Sequence, residues 1–341
     1  MRVFWYTARR LLYVIPQVIG ISLVTFVVVR LLPSNPAYAL AGPAATQETI
    51  DTIEKRLGLN QPIWVQYGKY VRDLAHGDLG SSFVSGRSVL SDIGQRLPAT
   101  LELLVLGLFF AFLIGVPLGV LSALGRGRRI AGRASLGYGL LAGAIPDFWL
   151  GLILVYVLYT KLKVAPAPLG QLSPSVPTPR HVTGAVALDA LITGNWVAFK
   201  SALGHLVLPL ITLVFVYMAP IVKYTRSSVE DVYYGSEFIQ QYRVNGLSHR
   251  AIVMRALRNG LPPVITIVGV LFGFLLGGLV LIEQVFAWGG FGQYAVQAIT
   301  NSDFSAVEGF VVVAAIFNLI VYLIVDLLYF VVDPRLRAGV T

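Results

Sequence analysis

Six apolar runs, each close to twenty residues long, divide this chain of 341 residues: Leu11 to Leu32, Ala99 to Leu124, Leu136 to Thr160, Leu203 to Val222, Val264 to Gln284 and Val307 to Val332. About 20 residues of helix cross a hydrocarbon core ~30 Å thick, so each run is long enough to span a bilayer. Lipid offers no partner to backbone N–H and C=O groups, and a helix satisfies them within the run itself. Composition agrees, with 56% of residues hydrophobic and only 13% charged, and a mean hydropathy of +0.74. A soluble domain carries about twice that share of charge. The expectation is an all-α membrane protein with six transmembrane helices.

Charge sets the orientation. The net charge is +9, and most of the basic residues fall on one side once the N-terminus is placed in the cytoplasm. Arg2, Arg9 and Arg10 precede the first span, Arg126 to Arg133 follow the second, Lys223 to Arg258 follow the fourth, and Arg335 and Arg337 follow the sixth. This is the positive-inside bias, with both termini cytoplasmic. The predicted organisation is a cytoplasmic N-terminus (1–10), spans at 11–32, 99–124, 136–160, 203–222, 264–284 and 307–332, outer segments at 33–98, 161–202 and 285–306, and cytoplasmic segments at 125–135, 223–263 and 333–341. The basic residues flank spans and build no basic face with interleaved aromatics, so the partner they fit is the lipid bilayer and not nucleic acid. Ala39-Leu40-Ala41 resembles a leader-peptide cleavage site, but the preceding apolar run is longer than a leader's core, and it is taken as a span.

Several chemistries are excluded. The chain has no cysteine, and His76, His181, His205 and His249 are scattered without ligand spacing, so no metal site is expected. No glycine-rich loop with lysine and serine or threonine is present to cradle a nucleotide, and Gly125-Arg126-Gly127-Arg128-Arg129 reads as a basic turn beside lipid phosphates. An intramembrane enzyme would need a nucleophile and base on facing spans, and His205 stands alone at the outer end of the fourth. An ion-driven secondary transporter, with Asp147 and Asp326 as carriers, would show repeats between the halves; none is visible.

Outside the spans, Ile50, Ile53 and Leu57 recur at helical spacing and Gly58 ends that helix, while Gln61 to Ala75 carries a second stripe rich in Trp64, Tyr67 and Tyr70. The pair reads as a folded outer cap. Lys161 to Lys200 is proline-rich and reads as an irregular loop, and Trp288-Gly289-Gly290-Phe291-Gly292 reads as a tight turn.

The cytoplasmic segment between the fourth and fifth spans has the clearest local logic. Ser236 suits a helix N-cap, Phe238, Ile239 and Tyr242 share one face, and Gly246 suits the left-handed C′ position. Ser248 then caps a second helix, His249 to Arg258, expected to stop at Asn259-Gly260 before Pro262-Pro263. The apolar face of the first helix needs a cover. Spacing alone leaves two: a partner protein, or the bundle and its lipid headgroups. Ionisable groups within spans are functional candidates, and Asp147, Glu283 and Asp326 are taken as such.

These motifs, in this order, resemble the permease subunits of the dipeptide, oligopeptide and nickel branch of ABC importers. The resemblance runs from Arg9-Arg10-Leu11 and Arg30-Leu31-Leu32-Pro33-Ser34-Asn35-Pro36 through Leu57-Gly58-Leu59-Asn60-Gln61-Pro62, Gly77-Asp78-Leu79-Gly80 and Arg96-Leu97-Pro98-Ala99-Thr100. It continues through Ile145-Pro146-Asp147-Phe148-Trp149, His205-Leu206-Val207-Leu208-Pro209 and Gly246-Leu247-Ser248 to Glu283-Gln284-Val285-Phe286 and Asp333-Pro334-Arg335. It implies a type I ABC importer permease fold in the bacterial inner membrane, without catalytic residues or cofactor of its own. The implied partners are a second homologous permease, two cytoplasmic ABC ATPases or one fused ATPase that bind ATP and Mg, and an extracytoplasmic solute-binding protein. The ATPase-coupling residues it implies are Phe238, Ile239, Gln240, Gln241, Tyr242, Gly246, Leu247 and Ser248. On ATP binding, closure of the ATPases would move this helix and rock the attached spans. The chain departs from the family pattern at Gln240-Gln241-Tyr242 where a glutamate-alanine-alanine triplet is usual, at Asp147 where a small residue is common, and at Gly289 where a proline is usual.

Overall fold

The computed structural model describes residues 2–31, 36–42, 45–124 and 128–332. The Pro33-Ser34-Asn35 step, the turn at Gly125 to Gly127 and the C-terminal 333–341 lie outside the described residues, as does the side chain of Asp326. The described chain is helical almost throughout. Its elements are α1 (Arg2–Leu31), α2 (Pro36–Ala41), α3 (Gln47–Leu57), α4 (Ile63–Ala75), α5 (Val89–Leu124), α6 (Arg128–Ala144), α7 (Asp147–Leu154) with a π-helical continuation at Val155–Lys161, α8 (Val186–Ile192), α9 (Trp196–Gly235), α10 (Glu237–Val244), α11 (His249–Val285), α12 (Phe291–Thr300) and α13 (Phe304–Val332). They form two compact units, one of Met1–Thr100 with Gly289–Ile320 and one of Leu101–Trp288 with Val321–Thr341.

In the first unit the two outer helices form where their stripes predict. The Thr46 hydroxyl accepts the Thr49 N–H to start α3, and Gly58 ends it in the left-handed region at φ 70°. Tyr67 and Tyr70 of α4 lay their rings against Phe26 of α1, with centroids 5.3 and 5.8 Å apart, which is the packing expected of a folded cap. Arg30 at the end of α1 pairs with Glu308 of α13 at 2.8 Å and stacks over Phe26. Leu79, Val89, Ile93, Phe291, Tyr294, Ala298 and Ala306 form a buried cluster. The turn at Gly289, φ 75°, leads into α12, whose first N–H is held by the Thr100 hydroxyl at 2.7 Å.

The second unit is built on close helix crossings. Gly107, Gly115 and Gly119 of α5 face Leu213, Ile221 and Thr225 of α9. The paired numbers rise together, so the two helices run in the same direction. Small residues along one helix face let backbones approach where lipid supplies no hydrophobic drive to associate. Gly260 of α11 meets the backbone of Ser228 and Val229 in the same way, and Gly269 meets Val325 of α13.

Among the described residues five helices are long and apolar enough to cross a membrane, or up to six if the bent pair Gly132–Ala144 and Asp147–Lys161 is one span. That pair is the third apolar run, and it turns by 92° between its halves. Pro146 stands at the break with ψ 138°; its ring supplies no N–H and keeps Ile145 out of the helical region. The proline-rich segment 161–202 is not irregular throughout. It contains α8, whose first free N–H groups, those of Ala187 and Leu188, are accepted by Glu102 of α5 at 3.1 and 3.2 Å, a cap supplied from 85 residues away that no local pattern reveals.

The stop expected at Asn259-Gly260 does not occur. Helix α11 continues from His249 to Val285 through Pro262 and Pro263. Gly260 serves close packing and not termination, since a Cβ there would meet the Ser228 backbone at 3.2 Å. The hydroxyl of Thr266 donates to the Pro262 carbonyl, and the long contact with α9 holds the helix together across the two missing N–H groups. Tertiary packing of this kind lets membrane helices tolerate proline.

Candidate functional site

Two places in the second unit bring the candidate residues together. The first is the segment between α9 and α11. Helix α10 ends in a Schellman turn: the Gly246 N–H donates to the Arg243 carbonyl at 3.1 Å and the Leu247 N–H to that of Tyr242 at 3.0 Å, with Gly246 at φ 70°. The bonding pair and the left-handed glycine together satisfy the carbonyls at the helix end. Ser248 then caps α11 by accepting the Ala251 N–H. Ser236 stands at the N-cap of α10 but makes no side-chain capping bond.

The apolar face of α10 is covered by this chain. Ile239 is fully buried with Ile252 and Ala256 of α11, and Phe238, Tyr242, Leu247, Val232 and Tyr233 pack around them. Burying one such isoleucine is worth about 1.5–3 kcal/mol. The apolar stripe therefore does not itself require a partner: of the two covers left open by spacing, it takes the one within the chain. The Arg255 guanidinium sits over the Tyr242 ring at 4.3 Å and Arg243 over Tyr233 at 4.5 Å, fixing the helix from both sides. What remains free is the opposite face, where Glu237, Gln240 and Gln241 are exposed and Val244 is 86% exposed. At 100° per residue these four cluster on the side turned away from Ile239. Val244 escapes a sequence reading because its neighbours on the wheel are polar; its one signal is its offset from the buried stripe.

The second place is an open groove of about 950 Å³ between α6, α7, α9 and α11. Gly139, Ala142 and Gly143 of α6 make the room, Phe274 of α11 lies along the far wall, and Asp147, Lys223, Arg226 and Glu230 bring charge. Asp147 starts α7, where the break at Pro146 aims it. One of its oxygens accepts the Phe148 N–H at 2.7 Å, the other the Tyr217 hydroxyl at 2.8 Å. Arg226 is held by Glu230 at 3.6 Å and by the Gly132 carbonyl at 3.1 Å. Glu283 lies in α11 with no exposed surface and is not among the residues that line the groove. Asp326 lies in α13. In the sequence Tyr217 and Lys223 stand out only as parts of an apolar run and its basic flank.

Among the described residues no group of histidine, cysteine and carboxylate could hold a metal ion. Long apolar helices crossing on glycines, with a charged groove among them and a short helix docked beyond the end of one span, define a multi-pass membrane protein of the transport class. Comparison with known proteins makes this specific. Residues 115–338 match the family described as binding-protein-dependent transport system inner membrane component, and residues 3–104 match its N-terminal counterpart. The chain belongs to this family, and it is a non-catalytic, multi-pass permease component of the inner membrane. It is similar to a probable D,D-dipeptide transport system permease protein of Escherichia coli strain K12, 41% identical over 98% of each chain. A dipeptide transport system permease protein of Alkalihalophilus pseudofirmus is 39% identical over 97% of this chain and 99% of its own. A glutathione transport system permease protein of Escherichia coli is 31% identical over 97% and 98%.

Proposed function

We propose that this chain forms half of the translocation path of an ATP-driven importer of dipeptides or short oligopeptides. The observation that carries the reading is the near full-length likeness to chains named as dipeptide permeases, which extends over both the groove and the cytoplasmic segment. In this reading the bent pair at Pro146 is the third of six spans and both termini are cytoplasmic. A second homologous permease completes the path, an external solute-binding protein delivers cargo, and two ATPase subunits or one fused ATPase bind ATP and Mg. Of the three candidate carboxylates Asp147, Glu283 and Asp326, Asp147 is the one we assign to the path.

The coupling residues divide into two roles. Phe238, Ile239, Tyr242 and Leu247 anchor α10 to its own chain, while Gly246 and Ser248 set the angle to α11. Gln240 and Gln241, with Glu237 and Val244, make the face offered to the ATPase. Val244 is the apolar contact this face has to offer, and burying it in an interface is worth about 1.5 kcal/mol or more. Val244→Asp is expected to cut ATP-driven uptake by roughly tenfold or more while leaving the thermal stability of the isolated chain unchanged; wild-type uptake by this variant would remove Val244 from the interface.

The reading as a whole is tested by reconstitution with the partner subunits in proteoliposomes. Uptake of a dipeptide should require ATP, the ATPases and the binding protein. Uptake driven by an ion gradient without ATP would refute it.

A further inference from the structure

The groove holds two charges without a counter-ion. Asp147 makes no ion pair with any described residue and is satisfied only by the Phe148 N–H and the Tyr217 hydroxyl, although an ionised carboxylate accepts about four hydrogen bonds. Lys223 lines the same groove and likewise makes no ion pair with any described residue. Arg226 differs, being tied to Glu230 and the Gly132 carbonyl. A charged group inside a membrane protein is costly when it has no partner. Asp147 bears that cost within the third apolar run, while Lys223, exposed at the basic flank of the fourth, lines the same groove without pairing with it.

Their spacing is set by one rigid element. Asp147 is bonded to Tyr217, and Lys223 lies six residues further along α9, a rise of about 9 Å along the helix axis at 1.5 Å per residue. An extended peptide advances about 3.3–3.6 Å per residue, so two residues extend about 7 Å and three about 10 Å, which brackets that rise and leaves the flexible Lys223 side chain to take up the difference. Much of the rest of the lining is apolar or small, including Gly143, Ala219, Pro220, Val270 and Phe274. Such a wall accepts side chains of varied shape without asking for particular hydrogen bonds.

We infer that this groove is a cargo cradle that reads both ends of a short zwitterionic peptide, with Asp147 taking the α-ammonium and Lys223 the α-carboxylate. The inference rests on the reading of the chain as a dipeptide permease and adds the recognition chemistry to it. Tyr217 is a positioning residue: its hydroxyl holds the Asp147 carboxylate toward the groove and is released to cargo or kept as a third contact when the ammonium arrives. The orientation follows from the helix, with the N-terminus of the peptide held at the break between α6 and α7 and its C-terminus toward the cytoplasmic end of α9.

The test uses the complete importer in proteoliposomes, with L-alanyl-L-alanine as the probe. Asp147→Asn and Lys223→Gln should each lower uptake by roughly tenfold or more, the effect of losing a hydrogen bond to a charged group. The amount of assembled complex and its peptide-free ATP hydrolysis should stay at wild-type levels. Asp147→Glu and Lys223→Arg, which keep the charges, should retain most of the uptake. Unchanged uptake by either neutral variant overturns the cradle. So does a variant that fails to assemble, which makes the charge structural, or one whose ATP hydrolysis falls in step with uptake, which assigns it to coupling. If the wild-type importer itself takes up no dipeptide with ATP, the underlying reading fails and the cradle falls with it.

Discussion

Replacing Gly119 by leucine is expected to prevent this chain from accumulating in folded form. A Cβ at that position would lie 2.5 Å from Cβ and 2.8 Å from Cγ2 of Thr225, and 3.0 Å from the Val222 carbonyl oxygen. Both neighbours are buried, and the carbonyl belongs to the backbone of α9, which cannot turn away as a side chain does. Forcing extra methylenes into a packed site costs about 1–3 kcal/mol, and leucine adds four carbons at a point where none fits. A loss of about 3 kcal/mol changes the folded-to-unfolded ratio by roughly a hundredfold. Fluorescence size-exclusion of the solubilised chain reads the effect directly. Gly94→Leu, on the same helix but with nothing within 4 Å of its Cβ, should leave the folded peak at wild-type height. Equal peaks for the two variants would show that glycine at 119 is not what sets the crossing of α5 and α9.

Gly246→Val is expected to separate ATP hydrolysis from transport. A Cβ on Gly246 would meet nothing within 4 Å, and the residue sits at φ +70°, so the substitution acts through the backbone alone. A side chain in the left-handed region costs about 1–2 kcal/mol, and a β-branched one more. The chain can relieve that strain by leaving the left-handed region. Doing so breaks the two Schellman bonds to Arg243 and Tyr242 and changes the angle between α10 and α11. Helix α10 would then meet the ATPase while no longer pushing α11, and uptake should fall by roughly tenfold or more with hydrolysis retained. Gly246→Asn, a residue that tolerates this conformation, should recover most of the transport. Full transport by the valine variant would show that the turn does not carry the motion.

Much of the fold is legible in the sequence because it is set locally. The period of Ile50, Ile53 and Leu57 marks α3, Gly58 marks its end, and Gly246 and Ser248 mark the turn between α10 and α11, each through a bond or a dihedral within a few residues. What is not legible depends on residues far apart in the chain. Pro262 and Pro263 look like a stop, and they are carried through a continuous helix because α9 packs alongside. The stripe of Phe238, Ile239 and Tyr242 looks unpartnered until Ile252 and Ala256 are brought against it. Helix α8 has no strong start signal of its own because its cap, Glu102, comes from α5.

The same division holds for the candidate sites. Asp147 stands out as a charge inside an apolar run, and the coupling segment stands out through its caps. The groove does not, since it depends on a 92° turn at Pro146 that aims Asp147 toward Tyr217, and on the offset along α9 between Tyr217 and Lys223. The apolar runs and the placement of basic residues by themselves determined that this chain crosses a membrane several times as helices, because the bilayer tests each run alone for length and polarity. Only the tertiary structure decided which helix face is covered, which proline breaks a helix, and which two charges share a groove. Those outcomes rest on contacts between distant segments, and local sequence patterns do not contain them.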